Sequence, residues 1–202
     1  MLRSIAGAQW VSAPTDNALT PVSAIALAVV VFAVVAYSAP VLRFKERPFL
    51  DSLTSAVHFA GPLMYALVLT GAGLTTRGIW PIWVAFLTWG MASHAFGAVQ
   101  DVRADREGGI ASIGTVMGAR VTTWFALAMY VAASALLLFL PWPGILAAAL
   151  PLAYAASVAR FVRITDEGCE DANRGWRTFL WLNQPVGFLV TMLLIVSAKG
   201  WL

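Results

Sequence analysis

The sequence is poor in charge. Only 11% of its 202 residues are Asp, Glu, Lys or Arg, against about 25% in soluble domains, too few to cover an ordinary soluble fold. It has one cysteine, Cys169, so no disulfide can form within the chain and no second thiol can share a metal with it; Cys169 is read as incidental. It lacks the apolar–polar alternation of a membrane β-barrel. It also lacks low-complexity tracts, internal repeats and linkers, which excludes a disordered chain or a repeat array and argues for one domain. No basic tract is interleaved with aromatics, so the net charge of +3 does not point to nucleic acid. A secretory signal is not expected either: Arg3 is followed by a polar stretch through Asp16 and Asn17 before the first long apolar run.

What the chain has in excess is apolar surface, with 60% hydrophobic residues and a mean hydropathy of +0.78. The excess falls into six runs, at about 21–40, 52–74, 79–100, 119–140, 144–164 and 178–199. Each holds about 20 residues, enough for a helix to cross a hydrocarbon core of about 30 Å. The expected fold is therefore an all-α polytopic membrane helix bundle. Residues 1–20 are expected to form an outward-facing N-terminal segment, and 21–202 one transmembrane domain.

The loops between the runs are unequal. Arg43, Lys45, Arg47, Arg103, Arg106, Arg120, Arg160, Arg163, Arg174 and Arg177 fall on one side, whereas Arg3, Arg77 and Lys199 fall on the other. The positive-inside rule places the first group in the cytoplasm, within a cell (inner) membrane, and both ends of the chain outward. Trp80, Trp83, Trp142 and Trp201 fall near the expected outer interface, which favours amphipathic rings. All acidic residues except Asp16 share the cytoplasmic side, so polar chemistry belongs at that mouth.

Two segments there carry it. Gln100–Gly109 reads QDVRADREGG and follows directly on an apolar run. Asp101 and Asp105 are four apart, so on a helix both carboxylates face one way and repel unless a cation lies between them. Mg²⁺ prefers oxygen and is commonly held by one or two carboxylates plus substrate phosphates. The plainer alternative is a solvated helix end with internal ion pairs. Tyr37–Asp51 reads YSAPVLRFKERPFLD and places Arg43, Lys45 and Arg47 within five residues. Such a loop can grip a diphosphate, or simply anchor the helices at the interface. Carboxylates and cations on one side together suit a metal-bridged diphosphate.

These two segments, with His94–Gly118 reading HAFGAVQDVRADREGGIASIGTVMG, resemble the second half of the UbiA superfamily of intramembrane prenyltransferases. Within it they most resemble the bacterial lycopene elongases of C50 carotenoid biosynthesis. The resemblance covers residues 21–202. It implies that Asp101 and Asp105 hold Mg²⁺ on an allylic prenyl diphosphate, dimethylallyl diphosphate in this branch. It implies diphosphate contacts from Arg43, Lys45 and Arg47, with Ser38 in the same motif and Tyr37 beside the allylic carbon. Tyr37, Asp101 and Asp105 are then the catalytic candidates, and Asp51 orients the basic loop. The acceptor is a lipophilic molecule within the bilayer, lycopene or a related carotenoid. The six runs resemble helices four to nine of a nine-helix fold, and no residues here match the family's first aspartate-rich motif. A partner chain supplying those helices is therefore an alternative to a self-sufficient enzyme. A small transporter is a further alternative, disfavoured because the charges gather at the mouth rather than at the midplane.

Other polar residues within the runs are functional candidates by default. His94 lies seven residues before Asp101 and shares roughly its helix face; His94 and Asn183 are taken as candidate substrate contacts. His58 and Gln184 are weighed as interhelical hydrogen-bonding groups. Pro62 and Pro151 are expected to kink their spans. The acidic run Asp166, Glu167, Glu170 and Asp171 is expected to be a solvated loop, with a lid over the mouth as the sharper alternative. Gly71, Gly73, Gly90 and Gly97 suit close helix packing.

Overall fold

The computed structural model describes residues 20–69 and 79–199. The expected N-terminal segment, with Arg3, Asp16 and Asn17, and also Gly71, Gly73, Arg77 and Trp201, lie outside the described residues. Seven α-helices follow in order: α1 Pro21–Ser38, α2 Leu50–Leu69, α3 Ile79–Val99, α4 Val102–Glu107, α5 Ile113–Leu137, α6 Leu150–Ala159 and α7 Ala172–Lys199. No strand occurs among the described residues.

Local chemistry sets the helix ends. The Thr20 side chain accepts from the Ser23 N–H at 3.2 Å and Pro21 opens α1, where its missing donor costs nothing. Pro40, which cannot continue a helix, follows the C-cap of α1. Ser112 and Thr115 form a reciprocal capping box at the start of α5. Three residues after Thr115 α5 breaks, because Gly118 stands at φ 77°, a left-handed conformation that favours glycine.

Five of the six expected spans are helices long and apolar enough to cross a membrane. The sixth is shorter than expected: a 3-10 segment, Gly144–Ala149, runs into α6. Pro151 lies in the first turn of α6 rather than at a mid-span kink, whereas Pro62 does lie inside α2. The 3-10 winding is tighter in its turns but rises about 2.0 Å per residue instead of about 1.5 Å, so this short segment still reaches roughly 27 Å.

Helix α3 is the centre of the bundle, packed between α2 and α5. Ala92, Ala95, Phe96 and Val99 of α3 meet Ala126 and Tyr130 of α5, Tyr154 of α6, and Cys169. Cys169 is fully buried, with its Sγ 3.5 Å from the Gln100 carbonyl, so it is part of the packing. Polar groups within the bundle are paired: Ser93 Oγ and Tyr130 OH lie 3.0 Å apart, and the Trp83 indole donates to the Ala60 carbonyl at 2.9 Å. His58 Nδ1 lies 2.7 Å from the Thr54 carbonyl of its own helix. By contrast, α1 and α7 bury little of their surface in the chain.

Close approach of α2 and α3 requires Gly90. A Cβ there would stand 2.9 Å from Ala56 Cβ and 3.0 Å from Ala56 Cα, inside any real contact. Gly90→Ala is expected to destabilise the bundle by about 1–3 kcal/mol, read as a lower thermal midpoint in detergent. Adding Ala56→Gly should recover part of the loss; equal midpoints for wild type and Gly90→Ala would refute the packing argument.

Candidate active site

The carboxylate pair is built by the end of α3 and by α4. Asp101 is the N-cap residue of α4, and the Asp105 N–H donates to the Asp101 carbonyl at 2.8 Å, one helical turn later. Both side chains therefore project from one face. Burial, and then the neighbouring Asp105 charge, raise the pKa of Asp101 above the usual carboxylate value. Burial also raises that of Asp105, against a hydrogen bond at 3.3 Å from the Ser112 hydroxyl.

A cavity of about 270 Å³ opens at this point. Lys45, His94, Asp101, Asp105, Gln100 and Trp176 are among its walls. Gly97 allows the Trp176 ring onto α3, since a Cβ there would lie 3.2 Å from the indole. The basic loop brings Lys45 in through a short 3-10 turn, Phe44–Glu46. That turn lies between two residues held at positive φ, Arg43 at 41° and Phe49 at 68°.

The remaining candidates are arranged around this cavity or away from it. The Tyr37 ring meets His58 edge-on at 5.1 Å and His94 at 6.5 Å, centroid to centroid. Arg43 pairs with Glu46. The Arg47 guanidinium sits 5.6 Å over the Phe44 ring. Ser38, Arg43 and Arg47 line neither this cavity nor the second one described below. Asp51 has no exposed surface. Its Oδ2 accepts the Ile113 N–H at 2.6 Å and lies 3.8 Å from His94 Nε2, and its Oδ1 accepts the Ser52 N–H at 2.6 Å. As placed it joins α2, α3 and α5 and lines neither of the two cavities described.

Asn183 lies elsewhere. It lines a second, larger cavity of about 370 Å³ between α3, α6 and α7, with Phe86, Trp89, Leu150 and Tyr154. The walls are almost wholly apolar. Their chief polar feature is the hydrogen bond from the Tyr154 hydroxyl to Asn183 Oδ1 at 2.9 Å. Trp176, Gln100 and Tyr154 were not singled out from sequence. A tryptophan one turn into the last helix and a tyrosine inside a span carried no local signal distinguishing them from core aromatics.

The acidic run is not a free loop. Glu170 pairs with Arg103, Asp166 pairs with Arg106 at 2.5 Å, and the neighbouring Asn173 amide donates to Gln100 Oε1 at 2.7 Å. The segment is fastened across the carboxylate-bearing loop at three points.

The raised carboxylates have a measurable consequence. A carboxyl group with a raised folded-state pKa holds its proton in the native state after the unfolded chain has lost it. Stability therefore falls as pH rises from the ordinary carboxylate value through the raised one. Without divalent metal, the thermal midpoint of the wild type is expected to fall over that window. Asp105→Asn should flatten the fall by removing the charge beside Asp101; parallel curves for the two proteins would contradict the coupling.

Comparison with known proteins gives the family. A profile of the UbiA prenyltransferase family matches residues 5–183. The chain is 53% identical over 180 residues to the C(50) beta-cyclic carotenoids biosynthesis protein LbtBC of Dietzia sp., covering 89% of this chain and 41% of that protein. It is 47% identical over 176 residues to a lycopene elongase/hydratase of Corynebacterium glutamicum, 87% of this chain and 61% of the relative. It is 33% identical over 163 residues to one from Haloferax volcanii, 80% of this chain and 50% of the relative. The chain thus spans about half the length of these relatives. No solved structure matches it significantly. With a family profile running from residue 5, through the basic loop and the carboxylate pair, to Asn183 in the last helix, the chain belongs to the UbiA prenyltransferase family.

Proposed function

We propose that this chain carries the diphosphate-binding end of an isoprenyl-transfer site. The donor is an allylic diphosphate, dimethylallyl diphosphate, and the acceptor is lycopene or a related carotenoid held within the bilayer. One observation carries the reading: Lys45, Asp101 and Asp105 converge on one polar cavity at the end of α3, while an apolar cavity lies further along the same helix. The names of the relatives, lycopene elongase/hydratase and C50 carotenoid biosynthesis protein, support the acceptor class. The basic bias of the loops supports a cytoplasmic mouth, with both ends of the chain outward.

The donor set suits Mg²⁺. Two carboxylates with raised pKa values face one way, and a hard cation relieves their repulsion. Among the described residues no group of three or more His, Cys, Asp or Glu is placed to hold a metal, so diphosphate oxygens would complete the coordination. Bound there, the ion would neutralise charge on the leaving diphosphate.

The C–O bond at the allylic carbon breaks, and its electron pair leaves with the diphosphate. Lys45 offsets that charge, and Arg43 and Arg47 add positive potential at the mouth. The π electrons of the acceptor's terminal double bond form the new C–C bond to the allylic carbon, and a proton is lost in completing the product. Tyr37, whose ring lies 6.5 Å from that of His94, is assigned to the allylic cation by cation–π attraction. Ser38 borders that ring in sequence, and Asp51 and His94 hold the helices that carry the loop.

A second reading rests on length. The chain spans 41% and 61% of two of its relatives, and a partner chain supplying further membrane helices would complete the site.

Membranes containing the chain, given labelled dimethylallyl diphosphate, lycopene and Mg²⁺, should form an extended carotenoid. Asp101→Ala and Asp105→Ala should each lower its yield by about 100-fold or more. Yields equal to wild type would remove the metal–diphosphate role, and product formed only on co-expression with a second chain would favour the partner reading. Asn183→Leu removes the acceptor of the Tyr154 hydroxyl. Loss of that acceptor should shift preference between hydrocarbon and hydroxylated acceptors by about 5–10-fold with the KM for the diphosphate unchanged; a preference equal to wild type would exclude Asn183 from acceptor recognition.

A further inference from the structure

In an unbroken α-helix the N–H of residue 119 would donate to the carbonyl of residue 115. Gly118, at φ 77° and ψ 160°, breaks α5 between them. The break parts the Ala119 N–H from the Thr115 carbonyl, and both are met from outside the helix. Asp166, on the α6–α7 loop, accepts the Ala119 N–H with Oδ1 at 2.6 Å. Arg106, on α4, donates to the Thr115 carbonyl through Nε at 3.2 Å and Nη2 at 3.0 Å. The two substitutes then join: Arg106 Nη1 donates to Asp166 Oδ2 at 2.5 Å.

An Asp–Arg ion pair is thus inserted into one missing backbone hydrogen bond. Its anion sits at the start of the long second piece of α5, where unpaired N–H groups favour negative charge. Its cation meets the carbonyl end of the short first piece. The space is specific, because a Cβ on residue 118 would lie 3.1 Å from Asp166 Oδ1.

Arg106 directly follows Asp105 on α4. Held at both ends of the break, it fixes α4 against α5, and with it the direction of the two carboxylates. We propose that Asp166 and Arg106 are positioning residues for the carboxylate pair, so that the α6–α7 loop sets the geometry of a site that it does not line. This rests on Asp101 and Asp105 binding the metal–diphosphate. It does not require Asp166 to touch the ligand, and Asp166 is absent from the cavity walls.

The test compares Asp166→Asn, Asp166→Ala and Asp166→Glu with wild type. Asn keeps an acceptor for the Ala119 N–H but loses the charge facing Arg106, whereas Glu keeps the charge. The probe is Mn²⁺ with inorganic diphosphate, followed by electron paramagnetic resonance, and thermal midpoints are recorded alongside. About tenfold weaker Mn²⁺–diphosphate binding in Asp166→Asn is expected, a larger loss in Asp166→Ala, and partial rescue in Asp166→Glu, with the Asn midpoint close to wild type. Wild-type binding in Asn and Ala would overturn the proposal, as would a loss that tracks unfolding with Glu no better than Ala. Amide hydrogen exchange over residues 102–119 judges the clasp independently. If wild type itself binds no Mn²⁺–diphosphate, the metal reading fails, and faster exchange in Asp166→Asn than in wild type would still uphold the clasp. Unchanged exchange would overturn it.

Discussion

A carboxylate with no access to water must be met by hydrogen-bond donors, or it costs more than the fold can spare. Asp51 is such a group, and its donors and neighbours come from three helices. The first amide of α5, Ile113 N–H, is one of the donors a helix start leaves unpaired, and it finds its acceptor on α2. His94 of α3 faces the same oxygen. The polar end of the bundle is therefore assembled around one buried carboxyl group. The walls of the carboxylate cavity inherit their spacing from it: His94 from α3, the loop from Asp101 to Ser112, and the basic loop running into α2.

The helices and their small-residue contacts were legible in the sequence because they are local. Runs of apolar residues bounded by proline, glycine and charge locate five membrane-length helices directly, and the four-residue spacing of Asp101 and Asp105 puts both on one turn. The shortened sixth segment was harder. Its composition is as apolar as the others, and only the backbone shows that it is wound partly as 3-10. What the sequence could not carry was partnership at long range. Asp166 and Ala119 are 47 residues apart, and Asp51 and Ile113 are 62 apart. An acidic run in a polar loop looks the same whether it is solvated or fastened. Gly118 was visible as a motif glycine, but its role depends on an aspartate from another loop.

The two cavities divide the chemistry along one helix. From Ile82 to Trp89, α3 presents an apolar wall to α6 and α7. From His94 onward α3 and the two residues that follow it, Gln100 and Asp101, supply polar and charged groups to the carboxylate cavity. A reactant with an apolar body and an anionic head matches that sequence of environments without any large movement of the helix that joins them.

The basic loop differs from every other part of the site in how it is held. Arg43 and Phe49 both adopt positive φ, a conformation costing a side-chain-bearing residue about 1–2 kcal/mol. Lys45 lies between them. The loop thus behaves as a loaded spring whose tip is the ammonium group. Its tension is held at the far end by the Asp51-anchored start of α2. The cost of that conformation is already met in the folded chain, so an anion that met Lys45 there would not have to supply it.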